Sequence, residues 1–88
     1  MSLQVWISET LTRELDPLAL SVEDESDQHA GHGGWREGGE THFRIDVVSH
    51  TFLGKSRVER HRIVNACLAG AFAQGLHALA IKARAPGE

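Results

Sequence analysis

The chain has 88 residues, a formal net charge of -3 and 41% hydrophobic residues. That length suits one small core and argues against two domains, so residues 1–88 are expected to form a single domain. Mild acidity and an ordinary globular composition argue against a protein whose main work is coating nucleic acid, and no apolar run approaches the roughly 20 residues needed to span a bilayer.

Leu3, Ile7, Leu11 and Leu15, spaced by four, predict an amphipathic helix over residues 3–15, with Ser2 as its cap and Asp16-Pro17 as its end. Leu18, Leu20 and Val22 alternate with Ala19, Ser21 and Glu23, the pattern of a strand buried on one face. From Asp24 to Gly39 the sequence is polar and glycine-rich, with neither periodicity, and reads as a loop. About 15 residues is long for a hairpin connection, and loops of that length are usually functional or disordered. This one carries His29, His32 and Trp35.

Phe43, Ile45 and Val47 alternate with His42, Arg44 and Asp46, predicting a second strand over residues 42–49. After a turn at Gly54, Ser56-Arg-Val-Glu59 fits a capping box, so a helix is expected over residues 56–73. Ile63, Val64, Cys67, Leu68, Ala71 and Phe72 would form its apolar stripe, and Gln74-Gly75 would close it. In Leu76–Arg84, a final strand, Leu79 and Ile81 share one face and Lys82 and Arg84 the other. Parity places His77 with the apolar set, as a packed structural histidine. A hairpin makes the first two strands antiparallel, and a right-handed helical crossover brings the third parallel to the second. The fold class is α+β: a two-layer αββαβ sandwich with a three-stranded mixed sheet and both helices on one face.

Six histidines in so short a chain pose the functional question. His29-x-x-His32 could chelate a metal, but it lacks the cysteines and carboxylates of a zinc site. Gly54-Lys-Ser56 imitates the end of a phosphate loop, yet position 49 is serine where that motif needs glycine. Gly31-His-Gly-Gly34 matches a nucleic-acid-binding Gly-x-x-Gly string but lies between strands instead of helices. The one cysteine, Cys67, sits on the apolar stripe as a small core residue, and no nucleophile has a base at a motif spacing, so no enzyme activity is expected. The lone cysteine and the lack of a basic-then-apolar leader pattern lead us to expect a reducing, cytoplasmic setting.

The segments Asp24-Glu-Ser-Asp-Gln-His29, Glu40-Thr-His-Phe43, Val48-Ser49, Phe52-Leu-Gly-Lys-Ser56, Arg60-His-Arg62 and Leu76-His-Ala-Leu79, in that order, closely resemble the BolA family over essentially the whole chain. The resemblance implies an αββαβ fold like a type II KH domain, which agrees with the order read from periodicity. It also implies a non-enzymatic adaptor that forms a heterodimer with a monothiol glutaredoxin. The two would share a 2Fe-2S cluster for iron-sulfur assembly, trafficking or iron regulation, with sulfur ligands from the glutaredoxin and glutathione. The isolated chain would be monomeric and without cofactor. By motif, its own ligands would fall on His77 and His29. An insert, Gly31-His32-Gly-Gly-Trp-Arg36, departs from the family's shorter loops and makes His32 an alternative to His29. Imidazole ligation raises the reduction potential and makes the site proton-sensitive.

Bacterial members of that family have been regarded as transcriptional regulators, so DNA binding is the alternative. Lys55, Arg57, Arg60 and Arg62, near one helix N-terminus, are the candidate contacts for a protein partner or for phosphates. His42 and His61 read as structural or partner-facing, and His50 as a solvated turn residue.

Overall fold

The computed structural model describes residues 2–25 and 42–88. The elements are α1 (Leu3–Leu15), β1 (Ala19–Asp24), β2 (His42–Val48), a 3₁₀ turn (His50–Phe52), α2 (Arg57–Cys67), α3 (Ala69–Ala73) and β3 (Ala78–Arg84). The loop read into Asp24–Gly39 falls, from residue 26 onward, outside the described residues, as do His29 and His32.

Local chemistry sets most boundaries. The Ser2 hydroxyl accepts the Val5 amide at 3.1 Å and starts α1. Asp16 ends it in the left-handed region, φ 44°, ahead of Pro17. The capping box at α2 is complete: Glu59 N–H donates to Ser56 Oγ at 3.1 Å, and Ser56 N–H donates to Glu59 Oε1 at 2.8 Å. Gly54, at φ 73°, makes the preceding turn in a conformation that a side chain would strain.

The sheet order is β1-β2-β3, with β1 antiparallel and β3 parallel to β2. The register aligns Leu20 with Val47, Val22 with Ile45, Phe43 with Leu79 and Ile45 with Ile81, which gathers the apolar residues on one face. Against that face lie Ile7, Leu11 and Leu15 of α1 and Val64, Leu68 and Ala71 of the second helical layer, all buried with Phe43, Ile45, Val47 and Phe52. Each fully buried large side chain contributes about 1.5–3 kcal/mol. The mixed α+β architecture read from the sequence is the one found.

Three expectations need correction. Leu18 does not open the first strand's buried face: it is 62% exposed in a bend, and β1 begins one residue later. The helix expected over residues 56–73 breaks at Leu68, whose amide donates to both the Val64 and Asn65 carbonyls, 3.1 and 3.2 Å. Leu68 in that tightened turn and Ala71 of α3 are buried, while Phe72 is 45% exposed. His77 lies before β3 and is exposed, so strand parity does not apply to it.

Candidate metal and partner site

His77 sits in the two-residue connection between the turn that ends α3 and the start of β3. On its N-terminal side Leu76 is buried, and its amide donates to the Ala71 carbonyl at 3.1 Å. On its C-terminal side Ala78 is aligned with His42 of β2. The backbone is thus tied on both sides while the imidazole stays at the surface. Such a side chain can offer a ring nitrogen to a metal without opening the core.

The His42 and His77 rings are neighbours, with centroids 5.4 Å apart and planes tilted by 49°. His42 alternates out of the apolar face, as its sequence position predicts, yet it is only 8% exposed. Its carbonyl accepts the Glu25 amide at 2.8 Å, which carries the pairing one step beyond β1. Sequence reasoning set His42 aside. The signal that could have found it is register: a parallel β2–β3 pair that aligns His42 with Ala78 must bring it within one residue of His77.

Among the described residues no group of three or more His, Cys, Asp or Glu side chains converges to hold a metal. Cys67 is no substitute: burial, and after it the Glu14 charge, push its thiol above the ordinary range and keep it protonated. The donor chemistry suits a surface imidazole that completes a site shared with other ligands.

The basic residues fall into a different grouping from the one expected. Lys55, Arg57 and Arg60 line a cleft of about 610 Å³ between the start of α2 and β3, joined by Arg44, His61 and Lys82. Arg62 is exposed and does not line it. At about 100° per residue, position 62 lies roughly 140° around the helix from position 57. Arg44 and Lys82 were legible from parity, since both alternate to the solvent side of neighbouring strands.

Arg60 is held within the fold. Its Nε donates to the Lys55 carbonyl at 3.0 Å, its Nη1 to the Ala83 carbonyl at 3.2 Å, and both Nη atoms to the Glu88 carboxylate, the Nη2 bond at 2.8 Å. The pairing with Arg60, and next the Ala85 amide, lower the Glu88 carboxyl to about 2. Arg44 is likewise paired with Glu25, at 3.1 Å.

A family model described as "BolA-like protein" matches residues 11–88. The chain is 50% identical over 86 residues to "SufE-like protein 1, chloroplastic/mitochondrial" of Arabidopsis thaliana, taking in 93% of this chain but 23% of that longer protein. It is 46% identical over 89 residues to an "Uncharacterized protein in cobS 5'region" of Sinorhizobium sp, covering 100% of this chain and 96% of that one. Among solved structures, the BolA domain of SufE1 from Arabidopsis thaliana aligns with a TM-score of 0.88 at 49% identity, covering 98% of this chain and 94% of the other.

Proposed function

The chain belongs to the BolA-like family, and from that premise we propose that it is a non-enzymatic adaptor that binds a monothiol glutaredoxin and co-ligates a shared 2Fe-2S cluster. The observation that supports this reading is the exposed His77 imidazole, on a backbone tied on both sides and next to the buried His42 ring. His77 is the ligand held on the folded core. The second ligand from this chain is His29, with His32 as its alternative. A cluster bound with imidazole in place of thiolate has less negative charge and a higher reduction potential.

A lone, half-buried thiol suits a reducing compartment such as the cytoplasm. The rival reading, a DNA-binding regulator, rests on Lys55, Arg57, Arg60 and Arg62. It has weaker support, because Arg60 is engaged by Glu88 and Arg62 lies off the basic cleft.

Co-expression with a monothiol glutaredoxin, followed by visible absorbance and circular dichroism of the copurified complex, tests the proposal. A coloured heterodimer whose spectrum changes in His77→Ala is the expected result, with a further change in either His29→Ala or His32→Ala. Two proteins that never associate would overturn it, and an unchanged His77→Ala spectrum would remove His77 from the ligand set.

A further inference from the structure

The basic cleft is not used by the proposed cluster chemistry, and its charges are unevenly spent. Five of its lining side chains are cationic, Arg44, Lys55, Arg57, Arg60 and Lys82, in a chain whose net charge is -3. Arg44 is paired with Glu25 and Arg60 with Glu88. Lys55, Arg57 and Lys82 have no carboxylate partner among the described residues. The acids beside them offset part of this surplus: the Glu59 carboxylate, which accepts the Ser56 amide at 2.8 Å, stays ionised and its charge acts on Lys55. Asp46, aligned with Lys82 across the sheet, offsets only part of the charge.

Three cations held around one concavity repel one another until an anion sits among them. Two of the three are ammonium groups, compact point charges suited to phosphate oxygens, and the third is a guanidinium with a fork of donors. The positive end of α2 adds to the same field. The volume of about 610 Å³ is that of a small-ligand site. A nucleic-acid strand would need the basic surface to continue past the cleft, and Arg62 is turned away from it.

We propose that this cleft binds a small ligand carrying two or more linked phosphoryl groups, pyrophosphate or a nucleoside diphosphate, through Lys55, Arg57 and Lys82. Arg60, fixed by Glu88, forms a preorganised wall of the site. Binding here does not depend on the cluster reading, so His77→Ala leaves it unchanged.

The test is a ¹H–¹⁵N titration of the full chain with sodium pyrophosphate, ADP, adenosine, sodium sulfate and a single-stranded DNA oligonucleotide, at matched ionic strength. Saturable shifts confined to residues 44, 55–61 and 81–83 are expected with pyrophosphate and ADP, and none with adenosine. Equal affinities would identify the phosphates alone as the recognised group, and tighter ADP binding would identify a nucleotide. Arg57→Ala and Lys82→Ala, both exposed positions, should each weaken binding about tenfold or more while the other amide signals stay in place. Sulfate binding as tightly as pyrophosphate, affinities unmoved by both variants, or oligonucleotide binding without ADP binding would each overturn the proposal.

Discussion

The buried Ser49 hydroxyl donates to the Leu15 carbonyl at 2.6 Å, across 34 positions of sequence, and accepts the Thr51 amide at 3.1 Å. The Ser49 amide also donates to the Arg84 carbonyl at 3.0 Å, so one residue ties together the ends of α1, β2 and β3. Ser49→Ala leaves a buried carbonyl and an amide without that partner. It should cost about 1–3 kcal/mol, read as a lower denaturation midpoint with an unchanged slope. A loss no larger than that of an exposed serine such as Ser21→Ala would show that the hydroxyl is not a structural tie.

The Arg60–Glu88 pair gives stability a defined acid dependence. Glu88 titrates at about 2 in the folded chain, below the ordinary 4.5 of a glutamate. Its contribution is therefore present above that ordinary value and is lost as pH falls toward 2. Wild type should be more stable than Glu88→Gln at neutral pH, and the two should converge through this window. A difference that stays constant across it would mean that Glu88 acts through packing and not through its charge.

The core was legible because its signals are local and periodic. The four-residue spacing of Leu3, Ile7, Leu11 and Leu15 and the alternation of Phe43, Ile45 and Val47 each state a face directly. The break at Leu68 was not legible, since a stripe at three and four continues through it in sequence and only the doubly shared amide reveals it. The same limit hid the neighbourhood of His77. That residue's surroundings depend on where β3 begins and how β3 registers against β2, and a one-residue error reverses every face. Arg60 could be placed near the helix start, but its partner Glu88 is 28 positions away and no periodicity links them.

Gly70 lies where α3 meets α1. A Cβ there would stand 3.4 Å from two carbons of the Trp6 ring, at the edge of ordinary contact. Gly70→Ala should stabilise the chain by about 0.5–1 kcal/mol, since alanine restricts the unfolded state and favours helix. Trp6 fluorescence should shift at the same time. A destabilised variant would mean that the ring cannot give way and that α3 sits tighter on α1 than a methyl group allows.

The His42–His77 contact yields the prediction closest to function. A buried ring held on β2 limits the directions open to an exposed ring 5.4 Å away, so His42 acts as a positioning residue for the proposed ligand. Removing such a support from a metal ligand typically costs about 10–100-fold in affinity. In the free chain, His42→Ala should average the side-chain couplings of His77 over several rotamers, whereas His42→Phe, which keeps a ring in place, should preserve them. In the complex with glutaredoxin, His42→Ala should shift the visible circular dichroism and speed cluster loss about tenfold or more, with recovery in His42→Phe. The two readouts separate the two ideas: His77 couplings identical in wild type and His42→Ala would refute positioning even if the cluster forms. Altered couplings with an unchanged cluster spectrum would leave the positioning intact and count against His77 as the ligand.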